Sequence, residues 1–193
     1  MDLADTASLL REAKAGSAAA LDRLLERYGG KLLAFIRSRL GRTLRQRVDS
    51  HDVLNQTLLE AFLHLPDFEG VEGRSLMAWL ARIAEREMHD LADFHGRLRR
   101  DARREQPLDE GHAQLAARLR SATSRIVLRE EVERVLRALE GLEEDQRRVI
   151  VLRKLEELSF AEIGERMQRS ADACRMLLAR ALTALTLRLE AEP

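Results

Sequence analysis

The fold of this chain is decided by the stretch LEEDQRRVIVLRKLEELSFAEIGERMQRSADACRMLLARALTAL, which covers residues 142–185. Its first part, residues 143–154, has apolar residues at helical spacing. Residues 159–162, Ser-Phe-Ala-Glu, are a capping box, which predicts that a second helix begins there. A short turn at 168–169 precedes Ser170, which can cap a longer third helix. This order predicts a helix-turn-helix, a motif that can place its last helix in the major groove of DNA.

The outward face of that last helix carries the candidate DNA contacts. Arg175 and Arg180 are the main candidates, because arginine reads guanine bidentately or binds a phosphate. Cys174 falls on the opposite, buried face and is interpreted as a packing residue. The pattern alone also fits a three-helix bundle that binds no DNA. The whole outward set comprises Asp172, Arg175, Met176, Ala179 and Arg180.

Composition favours a helical chain with a weak electrostatic pull on nucleic acid. Of 193 residues, 45% are hydrophobic and only 4% aromatic, with 10 glycines and 3 prolines, so the predicted fold class is all-α. The formal net charge is zero. Residues 128–193 hold 12 basic and 14 acidic side chains, a net charge of −2. This balance argues against unaided DNA binding and favours a protein that reaches DNA inside a larger complex.

Upstream of the motif, apolar stripes at helical spacing predict a second helical unit. They run through residues 8–40, 49–65 and 75–91, with a glycine-containing loop at 67–75. Five arginines then crowd into residues 97–104, and the apolar periodicity weakens until residue 126. The predicted organisation is a helical domain at 1–98, a linker at 99–125 and the helix-turn-helix domain at 126–193.

Several functional classes find no support in the residues. One cysteine excludes an internal disulfide, and the five histidines show no metal-ligand grouping. There is no glycine-rich phosphate loop and no nucleophile motif, so we expect neither an enzyme nor a cofactor. No apolar run is long enough to span a membrane, and the first ten residues lack a basic n-region. These features predict a cytoplasmic protein.

Four blocks of the sequence carry a resemblance to a known family. Residues 142–185 resemble region 4 of the extracytoplasmic-function sigma factors of the sigma-70 superfamily. AKAGSAAALDRLLERYGGKLLAFIRSRLG, residues 13–41, resembles the start of their region 2. DSHDVLNQTLLEAFLHLPDF, residues 49–68, looks like the helix that docks on the clamp helices of RNA polymerase. SLMAWLARIAEREMHDLADFHGRLRR, residues 75–100, looks like the segment that opens and reads the −10 promoter element.

The resemblance assigns a polymerase-docking face to the second block. That face comprises Asp49, Asp52, Asn55, Gln56 and Leu59. The family often has acidic residues where this chain has His51 and Gln56, so charge complementarity to polymerase is reduced. One hypothesis is that a Ser/Thr kinase restores negative charge by phosphorylating Thr57 or Ser50. The alternative is that docking is simply less electrostatic.

The resemblance also assigns contacts to the −10 region. Phe68 and Arg74 match the loop that captures a flipped base, with Phe68 as a core residue as the alternative. On the following helix, duplex contacts are implied for Arg82, Arg86 and His89, although nearby acidic residues also fit a mixed surface. The cluster that contains Arg97, Arg99 and Arg100 is a candidate for backbone phosphate contact, or a solvated linker.

The function implied by the resemblance is promoter recognition. Such a sigma factor binds core RNA polymerase through its clamp helices and flap, and it reads the −35 and −10 elements of promoter DNA. The weakly basic recognition helix, where the family has a further basic residue in place of Leu177, supports an alternative: a sigma mimic that sequesters an anti-sigma factor. An anti-sigma factor remains open as a partner in either case. A stand-alone repressor is a third reading, but it leaves the N-terminal unit without a task.

Overall fold

The structure, a computed structural model, describes residues 3–40, 48–68, 76–97, 110–127 and 130–191. These ranges form nine helices, and α7 continues directly into a π-helical turn at Val151–Leu155. The expected all-α fold class is confirmed. The helices are α1 (Leu3–Lys14), α2 (Ala18–Arg39), α3 (Ser50–Leu63), α4 (Leu76–Arg97), α5 (Glu110–Val127), α6 (Glu130–Glu140), α7 (Glu144–Ile150), α8 (Phe160–Met167) and α9 (Ala171–Ala191).

Helix α2 is the centre of the N-terminal unit, and α1, α3 and α4 pack against it. Two residues set its start: Gly16 adopts a positive φ of 90°, and the Ser17 hydroxyl accepts a hydrogen bond from the amide of Ala20. The helix passes through Gly29-Gly30 without interruption. A Cβ at Gly30 would lie 3.3 Å from a methyl group of Val132 on α6, so this glycine permits a close helix approach.

Helix α3, which carries the predicted polymerase-docking face, starts at the predicted place. The Asp49 side chain accepts a hydrogen bond from the amide of His51 at 2.9 Å and thereby caps the helix. Val53, Leu54, Leu58 and Ala61 form its buried stripe. The helix ends at Leu63, before the proline at position 66.

The C-terminal unit contains the predicted helix-turn-helix in α8 and α9. The capping box is complete, since the Ser159 hydroxyl accepts from the amide of Glu162 and the Glu162 carboxylate accepts from the amide of Ser159. Gln168 takes a left-handed conformation at φ 55° and ends α8. The Ser170 hydroxyl then accepts from the amide of Ala173 and caps α9.

The second half of the predicted linker is helical. Residues 110–125 belong to helix α5, which packs against both α2 and α3, and the boundary predicted at residue 126 falls inside this helix. The arginine-rich stretch at 98–109 lies outside the described residues. The sequence did not predict this packing because the buried stripe of α5 contains one large apolar residue, Leu119, beside the small residues Ala116, Ala122 and Thr123.

The two helical units also contact each other through α2. The Arg37 guanidinium forms two hydrogen bonds to the Glu133 carboxylate on α6, at 3.0 and 2.9 Å. Arg39 forms ion pairs with Glu156, which follows the π-helical turn, and with Glu85 on α4, at 2.5 and 3.2 Å. Buried apolar residues of both units form one continuous core. The two helical units therefore pack against each other in addition to being connected along the chain.

Candidate functional site

The outward face of α9 is presented as the sequence predicts. Asp172, Arg175, Met176, Ala179 and Arg180 are all exposed, and Met176 is 63% exposed. Cys174 is fully buried, in agreement with its interpretation as a packing residue. Leu177 is also buried, at 7% exposure. Leu177 therefore packs into the core of the unit and adds no charge to the outward face of α9.

An aromatic ring and a carboxylate hold Arg175 in place. The Arg175 guanidinium lies 5.1 Å from the centre of the Phe160 ring, and that of Arg153 lies 5.0 Å from the same ring. Arg153 also donates a hydrogen bond to the carbonyl of Leu158 at 2.8 Å. Arg175 forms an ion pair with Asp172 one turn earlier on α9. Phe160 and Arg153 are residues that the sequence did not single out, because nothing in the spacing shows that α8 brings its first residue against α9.

Acidic partners neutralise other arginines near the turn. Arg169 pairs with Asp145 and Arg166 pairs with Glu156, each at 2.5 Å. The hydroxyl of Ser159, and after it the amide of the same residue, hold the pKa of the Glu162 carboxyl below its ordinary value. The local field around α9 is therefore less positive than the arginine content suggests. Arg180 and Arg175 remain as the exposed cations of the recognition face.

The candidate −10 contacts divide into three groups. Arg82, Arg86 and His89 are exposed on one side of α4, as predicted. Phe68 is only 8% exposed, and its ring lies 4.7 Å from that of Trp79. The interpretation of Phe68 as a base-stacking residue is therefore corrected: its ring is part of the core. Arg74, Arg99 and Arg100 lie outside the described residues, and Arg97 ends α4 with a side chain that is not described.

The backbone around Phe68 is fixed as well as its ring. The Lys14 ammonium at the end of α1 donates to the carbonyl of Phe68 at 2.6 Å and to that of Pro66 at 3.2 Å. These bonds tie the start of the 67–75 loop to α1. Phe68 therefore serves to anchor the loop, and Lys14 is a second residue of this region that the sequence did not single out.

The predicted docking face is partly open and partly covered. Asp49, Asp52 and Gln56 are exposed, whereas Leu59 is half-buried. The amide of His51 holds the pKa of the Asp49 carboxyl below its ordinary value, and the adjoining charges of His51 and Arg37 act in the same direction. The Asn55 amide oxygen accepts a 2.5 Å hydrogen bond from the Thr123 hydroxyl of α5. Asp49, Asp52 and Gln56 are thus accessible on α3, whereas α5 lies against the part of the face that contains Asn55.

The structure buries Thr57, one of the two candidate phosphorylation sites. That residue is 0% exposed, and its hydroxyl donates to the Val53 carbonyl at 2.7 Å, so a kinase has no access to it in this fold. Ser50 is half-buried at the first position of α3, and its hydroxyl accepts from the Arg37 guanidinium at 3.3 Å. Of the two candidates, only Ser50 lies near the surface.

The described ranges contain neither a cluster of metal ligands nor an apolar helix of membrane-spanning length. Within them, no group of three or more His, Cys, Asp or Glu residues is arranged to hold a metal ion. No helix there combines the length and the apolar character that crossing a bilayer requires.

Comparison with known proteins identifies both units. The family model for sigma-70 region 2 matches residues 24–104, and the model for sigma-70 region 4 matches residues 132–185. The extracytoplasmic-function RNA polymerase sigma factor SigD of Mycobacterium tuberculosis, and that of Mycobacterium bovis, are 29% identical over 187 residues. The match covers 92% of this chain and 81% of each relative.

Among solved structures, CnrH in complex with the cytosolic domain of CnrY is 26% identical. The match covers 98% of this chain and 99% of the solved chain, with a TM-score of 0.43. RpoE from Bartonella quintana in complex with the anti-sigma factor NepR is 21% identical. The match covers 89% of this chain and 97% of the solved chain, with a TM-score of 0.40. Since the two family models fall on the two helical units in the expected order, the chain belongs to the sigma-70 family, in its extracytoplasmic-function group.

Proposed function

We propose that this sigma factor divides its work among three surfaces. The exposed face of α9 contacts the −35 element, the exposed side of α4 contacts the duplex at the −10 region, and the exposed part of α3 docks on the clamp helices of core RNA polymerase. The chain performs no chemistry, and it acts in the cytoplasm, where polymerase and promoter DNA are found.

The observation that carries the −35 assignment is the pair of exposed arginines on α9. Arg175 and Arg180 are five residues apart on the outward face of a helix that the capping residue Ser170 starts cleanly. Phe160 and Asp172 fix the direction of the Arg175 guanidinium. A preorganised guanidinium loses less freedom when it binds a base edge or a phosphate.

Substitution of these arginines tests the assignment. Arg175→Ala and Arg180→Ala should each lower transcription from a −35-dependent promoter roughly ten-fold, because a good arginine contact to a base contributes about 1–3 kcal/mol. Binding of the chain to core polymerase should not change. Arg188→Ala is the matched control, since Arg188 is exposed on the last turns of the same helix. A parallel loss of polymerase binding in the Arg175 and Arg180 variants would contradict the assignment.

The α4 assignment rests on three exposed, nitrogen-bearing side chains on one side of the helix, Arg82, Arg86 and His89. Contacts of this kind go to phosphates and weaken with salt. Arg82→Ala combined with Arg86→Ala should therefore reduce binding of the polymerase complex to −10 duplex DNA and flatten its salt dependence. An unchanged salt dependence would argue for an ordinary mixed surface.

Phosphorylation remains a proposal at Ser50 alone. A phosphate there would stand in the first turn of α3, where the helix dipole favours negative charge, and beside the Arg37 guanidinium. Ser50→Glu should then increase polymerase binding relative to Ser50→Ala. Equal binding of the two variants leaves the less electrostatic form of docking as the explanation.

A sigma mimic that sequesters an anti-sigma factor is the second candidate. It is favoured by the Asp172–Arg175 ion pair and by the net charge of −2 in residues 128–193. Transcription with purified core polymerase separates the two functions. Promoter-specific initiation supports the sigma factor, and tight anti-sigma binding without initiation supports the mimic.

A further inference from the structure

Helix α5 is bound to the N-terminal unit along a single stripe. Ala116, Leu119, Ala122 and Thr123 recur at helical spacing and are between 1% and 5% exposed. The opposite side of the helix, including Arg120 and Ser124, faces solvent. This is how an amphipathic helix lies in a groove of another protein. Here the groove is formed by α2 and α3 of the same chain.

Two polar contacts fix the position of α5 in this groove. The Thr123 hydroxyl donates its one proton to the nearest acceptor, the Asn55 amide oxygen on α3 at 2.5 Å; the carbonyl oxygens of Leu119 and Arg120 on its own helix both lie at 3.0 Å. The Arg118 guanidinium forms two hydrogen bonds to the Asp22 carboxylate on α2, at 3.3 and 2.8 Å, and a third to the Ala18 carbonyl at 2.9 Å. The first contact lies on the proposed docking face, and the second holds the helix to the neighbouring element.

The short link between α5 and α6 also keeps α5 close to the groove. Two residues separate its last residue from α6, and α6 is tied to α2 by the Arg37–Glu133 pair. A helix that is tethered in this way has a high effective concentration at its groove, so modest contacts are enough to keep it bound.

We propose that α5 is an intramolecular competitor of RNA polymerase. In the free chain it occupies the part of the α3 face that contains Asn55. Polymerase can use the whole face only after α5 has left the groove. The observed association constant for polymerase is then the intrinsic constant multiplied by the fraction of chains in which α5 is displaced. This inference rests on the proposed docking role of α3.

Removal of the α5 contacts should therefore strengthen polymerase binding. Thr123→Val keeps the branched shape of the side chain and removes the donor to Asn55, so affinity for core polymerase should rise about three- to ten-fold, as for the loss of one hydrogen bond. Arg118→Ala should act in the same direction, and the two changes together should act more strongly. Ser124→Ala is the matched control, because the Ser124 hydroxyl is exposed and bonds only to the Arg120 carbonyl of its own helix.

The measurement is the dissociation constant of the full-length chain from core polymerase, with thermal unfolding of each variant recorded in parallel to verify folding. Hydrogen exchange of the free chain supplies a second readout, in which the amides of α5 lose protection in Thr123→Val and Arg118→Ala. Unchanged or weaker polymerase binding by the folded double variant overturns the inference.

Asp52→Arg distinguishes this failure from a failure of the docking assignment. Asp52 is exposed on α3 and should contribute to polymerase binding whether or not α5 is displaced. If Asp52→Arg weakens binding while the α5 variants leave it unchanged, the docking face stands and the competition by α5 is wrong. If Asp52→Arg has no effect, the docking role of α3 is wrong.

Discussion

The guanidinium of Arg175 lies over the ring of Phe160, with the carbon at its centre 5.1 Å from the ring centre. Phe160 is the first residue of α8, and Arg175 stands in the second turn of α9, so this contact joins the two helices of the helix-turn-helix. Arg153 lies over the same ring at 5.0 Å. One aromatic ring therefore positions two cations next to the exposed face of α9, in a unit whose net charge is unfavourable for DNA binding.

Replacement of Phe160 should impair promoter recognition without loss of polymerase binding. Phe160→Leu removes the π face that attracts Arg175 and keeps most of the apolar volume, and an exposed cation–π contact contributes about 0.5–1 kcal/mol. We expect a several-fold drop in −35-dependent transcription. Phe160→Tyr keeps the ring and should behave as the parent chain. Equal activity of the leucine and tyrosine variants would show that the ring does not position Arg175.

Gly164 should tolerate no side chain. A Cβ at this position would lie 2.6 Å from the backbone carbonyl oxygen of Arg169, in the turn between α8 and α9. Gly164→Ala should reduce the free energy of unfolding by about 1–3 kcal/mol, as overpacking does. Gly141→Ala is the comparison in urea denaturation. Its Cβ would meet the flexible end of Arg188, which can move away, so the two variants should differ clearly and equal losses would contradict the turn geometry.

The burial of Thr57 predicts a large difference between two substitutions. Thr57→Glu places an unpaired charge in the core of the N-terminal unit and should lower the free energy of unfolding by about 3–5 kcal/mol. Thr57→Val keeps the shape and should cost about 1 kcal/mol or less. Gln56→Glu adds the same charge at the neighbouring exposed position and should change stability by less than about 0.5 kcal/mol. A stable Thr57→Glu variant with enhanced polymerase binding would restore Thr57 as a phosphorylation site.

The Asp49 cap predicts a pH dependence of stability. The pKa of this carboxyl is lowered in the folded chain, chiefly by the amide of His51. Its charged form therefore contributes stability above the ordinary pKa of 3.8, and this contribution is lost as the pH falls through the lower, folded pKa.

Asp49→Ala should reduce the free energy of unfolding by about 1 kcal/mol at pH 7, since the cap is lost. The difference in the free energy of unfolding between Asp49→Ala and the parent chain should narrow below pH 3.8, because protonation then removes the charge of Asp49 in the parent chain. Asn caps about as well as Asp but does not titrate, so Asp49→Asn should keep most of the stability at pH 7 without this pH dependence. A constant difference between Asp49→Ala and the parent chain down to pH 3 would contradict the lowered pKa.

The sequence predicted those parts of the fold in which local chemistry fixes the outcome. Ser159 and Ser170 cap the helices that follow them because a side-chain oxygen satisfies a free amide within the same turn. The exposed face of α9 follows from helical periodicity around Cys174 and Ala181. In each case, the decisive partners lie within a few residues of each other along the chain.

The remaining features depend on partners that are distant along the chain. The stripe of α5 that packs against α2 and α3 consists mainly of small residues, so the hydrophobic periodicity of this segment is weak in the sequence. Thr57 was named as a candidate phosphorylation site, yet its hydroxyl is satisfied by the carbonyl four residues earlier, which allows it to lie in the core. Phe68 belongs to the core because Trp79 lies beside it, a contact that no spacing within the 67–75 loop predicts.

The most direct test of the account is run-off transcription with purified core RNA polymerase, this chain and a template that carries a −35 and a −10 element. The account predicts a promoter-specific transcript that appears only when the chain is added and that falls roughly ten-fold with Arg175→Ala. No promoter-specific transcript, together with no association of the chain with core polymerase in either the Ser50→Ala or the Ser50→Glu form, would contradict it.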